Sequence, residues 1–284
     1  MIGFAKRNLK VFFKDKSAVF FSLLSVFIII GLYAFFLGDT LVKNFPAIPD
    51  ARFLVDSWIA AGLLAVTSVT ATLGAFGIMI EDRSKNITKD FYSSPVKRST
   101  FAAGYVFSAF LVGVIMSILA LILVEYYIVI NGGSILSGMQ FLKVVALILL
   151  STFSNNAMIF LLVSFFKSTN AFGTASTIIG TLIGFLTGIY VPIGGLPEAA
   201  QYVIKFFPPS HSALLFRQVM MESAMKKSFQ DVPSGVSNDF REMLGVTFRL
   251  KNFTVTPLFS IAVLLGTAAV FYALAVLVIS RKKH

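Results

Sequence analysis

The chain has 284 residues, 57% hydrophobic and 13% charged, with a formal net charge of +11. A soluble domain carries about 25% charged residues, so a water-surrounded core cannot house this much apolar surface, and lipid is the expected solvent. Cysteine is absent, which excludes a disulfide framework and a thiolate metal site, and the two histidines, His211 and His284, stand far apart, which leaves a histidine metal site or Ser/His triad almost nothing to build on.

The first element is basic. Ile2, Ala5, Leu9, Phe12 and Phe13 share one side of a helical projection, while Lys6, Lys10 and Lys14 follow i, i+4 spacing on another. That pattern predicts a helix over 1–16 lying in the membrane interface. The apolar run behind it is too long for the h-region of a secretory signal, and no small-x-small cleavage site follows, so a retained first span is expected.

Six stretches then contain no Asp, Glu, Lys or Arg: 17–38, 57–80, 99–124, 144–166, 168–197 and 252–280. Crossing the hydrocarbon core takes about 20 apolar residues in a helix. Strands of a membrane barrel would alternate polar and apolar residues, and runs such as Ile261–Ile279 do not. The fold expected is all-α, a single transmembrane domain over 1–284. Its spans fall at about 17–38, 57–80, 99–127, 141–166, 170–191 and 257–280. A loop over 81–98 and a long segment over 192–256 connect them on opposite sides. Fourteen Lys and Arg lie at the N-terminus, in the 81–100 loop, at Lys167 and in the tail Arg281–Lys283, against Lys43, Arg52 and Lys143 in the short connections opposite. The basic side is therefore expected to be cytoplasmic, with both termini on it.

Polar residues inside the spans must face protein or water, because lipid offers them no partner. Thr67, Ser68, Thr70 and Thr72 in the second span, with Asn155 and Asn156 in the fourth, form a candidate cargo path. Interhelical hydrogen bonding is the competing reading, favoured for the hydroxyls and left open for the Asn pair. Ser176, Gly180, Gly184 and Gly188 repeat every four residues in the fifth span and suit a close helix seam, within the subunit or between subunits. Glu125 is the carboxylate abutting a span; the Asn131-Gly-Gly turn soon after it places it near the outer headgroups rather than in the ion-carrying role such acids often have.

The 81–98 loop is the most informative segment. Glu81, Asp82 and Arg83 leave the second span, Thr88, Lys89, Asp90, Phe91 and Tyr92 suit a short helix, and Pro95 ends it by excluding helical backbone at Ser94. Charges of both signs around an exposed aromatic pair suit a protein-docking knob.

In order and spacing this segment resembles the coupling region of the membrane subunits (permeases) of type-2 ABC exporters. There an acidic–basic pair leaves the second span, a short coupling helix follows, and a Ser/Thr-Pro-Val-polar-Arg element opens the third, here Ser94-Pro95-Val96-Lys97-Arg98. A second resemblance follows the fifth span: Gly188-Ile-Tyr-Val-Pro192, Leu196-Pro197, Phe207-Pro208 and Arg217 look like that family's re-entrant outer segment. Residues 221–256 depart from the family by their length, so cargo type does not carry over.

The resemblance implies a half-transporter. It would pair with a second copy or a related permease and recruit separate cytoplasmic ATP-binding cassette subunits, which would hold the ATP and Mg. This chain has no G-x-x-x-x-G-K-[ST], so no cofactor is expected on it. No basic face interleaved with aromatics appears, and nucleic acid is not an expected partner. The function expected is export of an amphipathic drug, peptide or lipid-like cargo across a bacterial plasma membrane, without catalysis by the chain itself. An ion-coupled secondary transporter would need buried acids or histidines, of which Glu125 is the candidate. A non-transporting scaffold or immunity protein would use the basic loop to hold a partner and would not respond to ATP.

Overall fold

The computed structural model describes residues 1–43, 45–46, 48–230, 234–250 and 253–281. Lys282 and Lys283 of the basic tail and the side chains of Tyr92 and Arg281 lie outside the described residues, as do 231–233 and 251–252 of the long outer segment. Among the described residues, six helices are long and apolar enough to cross a membrane: Lys16–Lys43, Ala51–Ser84, Arg98–Ile130, Gly138–Ser164, Thr169–Leu186 and Pro257–Val278. The chain is an all-α, multi-pass membrane protein.

Helix α1 covers Ile2–Lys14 and ends at Asp15, which is extended. The Asp15 carboxylate then accepts from Ala18 N at 3.0 Å and caps the next helix, so one residue both breaks the chain direction and starts the first span. That span is α2 (Lys16–Leu32), a π-helical stretch (Tyr33–Leu37) and α3 (Gly38–Lys43). The second span, α4, runs Ala51–Ser84. Asn86, at φ 60°, makes the corner into α5 (Ile87–Ser93); Asn tolerates this left-handed backbone better than most residues. The third span, α6 (Arg98–Ile130), and the fourth, α7 (Gly138–Ser164), follow, and a Ser137–Gln140 capping box starts α7. The fifth, α8, is Thr169–Leu186.

Among the described residues between the fifth and sixth spans lie a 3₁₀ turn at Ile193–Gly195 and four helices: α9 (Glu198–Phe206), α10 (Pro208–Met220), α11 (Glu222–Ser228) and α12 (Ser234–Met243). A two-stranded ribbon, β1 (Arg249–Leu250) against β2 (Phe253–Thr254), leads into the last helix, α13 (Pro257–Arg281).

Helix α4 is the hub. Most of its length is buried, and α6, α7, α8 and α10 all pack on it. Helix α2, by contrast, buries Val26 and Ile29, and α8 buries Ile183 and Gly184. Phe20, Phe21, Ile28, Leu182 and Phe185 on these two helices are exposed, as expected of faces solvated by acyl chains. Most spans differ by several residues from the charge-free runs, and for two the structure shows why. Helix α4 begins six residues before the run starting at 57, because Arg52 Nε pairs with Asp56 Oδ2 at 3.1 Å and the two charges enter together. Helix α8 stops at Leu186, short of 191, because Gly188 turns left-handed at φ 67°.

Candidate functional site

The last turns of α4 set out the site. Glu81 is exposed and forms a surface pair with Lys85, whose ammonium pKa is raised by that hydrogen bond; such pairs add little stability. Asp82, one residue on, is buried. From α1, Arg7 donates Nη1 to Asp82 Oδ2 at 2.6 Å and Nη2 to Oδ1 at 2.9 Å, a two-pronged pair. From α6, the Tyr105 hydroxyl donates to the same Oδ2 at 2.6 Å. Hydrogen bonding to Asp82 raises the Arg7 guanidinium above its ordinary pKa, so its charge is permanent. Asn8, buried on the inward side of α1, accepts from Arg7 at 2.9 Å and donates to Ser108 Oγ of α6 at 3.2 Å. Three helices distant in sequence thus meet at one carboxylate.

An aromatic cluster adjoins this knot. The Phe4 ring lies edge-on to Phe91, Phe101 and Tyr105 at 5.1, 5.1 and 4.9 Å, and Phe91 stacks on Phe101 at 5.4 Å. The Arg7 guanidinium sits 5.5 Å from the Phe91 ring centre. Phe91 is therefore half-buried and clamps α5 to α1, in place of the exposed docking aromatic expected. Arg83 also turns inward: Nη1 donates to Val163 O at 3.1 Å and Phe166 O at 3.3 Å, and its charge suits the C-terminal end of α7. Among the residues that α5 and its exit present outward are Lys89, Asp90, Pro95, Lys97 and Arg98, together with Ser93 and Val96. Thr88 is half-buried and lines a crevice of about 330 Å³ with Arg83, Arg98, Phe101 and Lys167. On α1, Lys6, Lys10 and Lys14 are exposed. Ala5, Asn8 and Phe12 are buried, Leu9 is half-buried, and Ile2 and Phe13 stand outside the packed side.

A family model for ABC-2 family transporter proteins matches residues 49–277. The chain belongs to that family. No curated protein matches it. As an ABC-2 transporter permease, it is a membrane component of transport.

The remaining candidate residues of this permease separate into different roles. Thr67 is buried and donates to Leu63 O at 2.8 Å, and Thr70 is half-buried. Asn155 donates to Ser68 Oγ at 2.8 Å, joining α7 to α4. Asn156 faces other helices, donating to Val106 O at 3.1 Å and accepting from the Tyr272 hydroxyl at 3.0 Å. The two neighbouring amides thus serve different helix pairs. The glycines also differ. Gly180 has open space where a Cβ would project, Gly184 lies against the Tyr190 ring so closely that a Cβ would collide, and Gly188 holds the positive φ that ends α8. Each proline named after the fifth span precedes or opens a turn or helix: Pro192 the 3₁₀ turn, Pro197 α9, and Pro208 the first residue of α10.

At the far end of the bundle Arg52 gathers Asp56, Asp39, the Tyr127 hydroxyl and Asn131 at 3.1, 2.8, 3.1 and 3.0 Å. Glu125 accepts from Leu136 N at 3.0 Å in the loop beside it. Sequence reading missed Asp56 as a second carboxylate in a span, and missed Asn8, Tyr105 and Ser108. The polar Asn8 amid the apolar residues of α1 was the one local signal available.

Proposed function

We propose that this chain is the membrane-spanning subunit of an ATP-driven exporter in a bacterial plasma membrane. Two copies, or this chain and a related permease, pair and seat two cytoplasmic ATP-binding cassette subunits on α5 and the 94–98 segment. Those subunits hold ATP and Mg. Lys89, Asp90, Lys97 and Arg98 give the docking its register, as exposed charges do at interfaces. Helix α1 lies in the inner interface with Lys6, Lys10 and Lys14 toward the headgroups. Helices α9 and α10 dip back from the outer face.

The observation that carries this reading is the knot at Asp82. A push on α5 reaches α1 through Phe91 and Phe4, and α1 is pinned to α4 and α6 through Arg7, Asp82 and Tyr105. Cassette closure therefore tilts spans rather than merely flexing a loop, opening a central path to the outside for an amphipathic drug, peptide or lipid-like cargo. The test uses the surface of α5 and leaves its clamp alone. Purified in mild detergent from its own membrane, the wild-type chain brings down a P-loop ATPase, and the doubly charge-reversed Lys89→Glu/Asp90→Lys chain does not. Repeated wild-type preparations without an ATPase overturn the exporter and return Glu125 and ion coupling to the front.

A further inference from the structure

At the end of the bundle that holds the Asp82 knot, the crevice of about 330 Å³ lies where α4 and α7 end and α6 begins. Met79 of α4 and Tyr105 of α6 are its buried floor, Phe101 and Phe166 are half-buried walls, and Arg98 and Lys167 stand exposed at the rim. Arg83 is fixed in place there, since its Nη1 donates to Val163 O and Phe166 O. That contact also answers the negative end of the α7 dipole, which would otherwise repel an anion. Helix α6 starts at Arg98 with no side-chain cap, so its positive end borders the crevice too. Three cations therefore line one accessible crevice, and among the described residues no carboxylate lines it. Asp82 is not part of the lining, and its charge is met by Arg7 and the Tyr105 hydroxyl.

We propose that this crevice binds the phosphate of an anionic phospholipid, with Arg83, Arg98 and Lys167 around the headgroup and the glycerol and first methylenes against Met79, Phe101 and Phe166. Basic pockets between membrane helices at the cytoplasmic surface hold anionic headgroups, and each cation there adds to the attraction. A carboxylate side chain or a free phosphate would satisfy the cations but leave the apolar walls bare to water, which favours the lipid as the source. Bound there, the headgroup bridges α4, α6 and the junction of α7 with α8, and so braces the helix ends from which α5 hangs. The proposal rests on this end facing the inner leaflet and not on export. A pull-down without an ATPase leaves it standing.

The test places the full chain, purified alone, in phosphatidylcholine nanodiscs with a phosphatidylglycerol probe whose diazirine sits near the head of the acyl chain. After irradiation, adducts are mapped by peptide mass spectrometry and are expected on the peptides holding Met79, Phe101 and Phe166. The same probe with a phosphatidylcholine head should label them at least roughly tenfold less. Neutralising one cation should lower labelling roughly fivefold, so Lys167→Gln loses one such factor and Lys167→Gln/Arg98→Gln two. Ala102→Trp fills the crevice without changing its charge and should remove the adducts. Lys6→Gln/Lys10→Gln, at the same end but outside the crevice, should keep them. Arg98 and Lys167 are exposed, so their neutral variants decide the matter should Ala102→Trp not fold. Equal labelling by the two heads, an equal loss in the Lys6/Lys10 control, or labelling unchanged in Lys167→Gln/Arg98→Gln would each overturn the proposal. Suppression by glycerol 3-phosphate would assign the crevice to a free phosphate ester, and protection by a co-purified ATPase would assign it to docking. Either result ends the lipid assignment.

Discussion

Asp82 is a carboxylate buried at the end of a membrane span, and it holds two donors from two other helices. Removing one partner of a buried pair costs about 3–5 kcal/mol, because the remaining charge is stranded. The Arg7 side chain is 35% exposed, so water reaches it and the loss is smaller, about 1–3 kcal/mol. Arg7→Ala should lower the apparent melting temperature in detergent by several degrees. Asp82→Asn should do so too, and the double variant should fall short of the sum by at least roughly 0.5 kcal/mol, since the residues form one network. Strict additivity would mean the pair does not tie α1 to α4. In the sequence each was visible as a charge of its own segment, but they stand 75 positions apart, and no local pattern pairs them.

Helices α1 and α5 act as one unit because Phe4 and Phe91 interlock between them. The chain contains no cysteine, so spin labels can be placed on exposed positions without background. With labels at Lys10→Cys and Lys89→Cys, the wild-type chain should give one narrow distance distribution, and Phe91→Ala should broaden it. An unchanged distribution would show that the Asp82 knot alone seats α1. At this scale much was legible. Pro95 and the charge pattern marked α5, and the absence of charge over 57–80 marked the middle of α4, since lipid excludes isolated charge. Its beginning was not legible, because Arg52 and Asp56 neutralise one another by tertiary contact inside the helix. The regular glycine spacing of the fifth span could not by itself say which glycine does what, for a related reason. Spacing records where Cβ atoms are missing, but only the fold shows that one gap meets Tyr190, one faces open space and one sits past the helix end.

At the scale of the whole chain, the packing order was the least legible feature. In a soluble protein the polar side of a helix identifies its buried side, whereas here lipid-facing and protein-facing surfaces are both apolar, and α4 reads like α2 although one is the hub and the other the rim. Orientation is different, because it depends on the ends. One end of the bundle gathers α1, α5 and the junction of α7 with α8, through Arg7 with Asp82 and Arg83 with Phe166. The other gathers Asp39, Arg52 and Asn131, and holds the segment after α8 through Trp58 with Leu244 and Gln140 with Ser223. The exposed Lys6, Lys10, Lys14, Lys89 and Lys97 all belong to the first end. Each such charge near an anionic leaflet is worth about 1 kcal/mol, so the first end should face the cytoplasm. A membrane-impermeant maleimide added to intact cells should label Lys226→Cys and leave Lys89→Cys unmodified until the cells are permeabilised. The reverse result would put α5 outside, where no cytoplasmic ATPase can reach it, and the exporter reading would fall even if the helix packing and the Asp82 knot were unchanged.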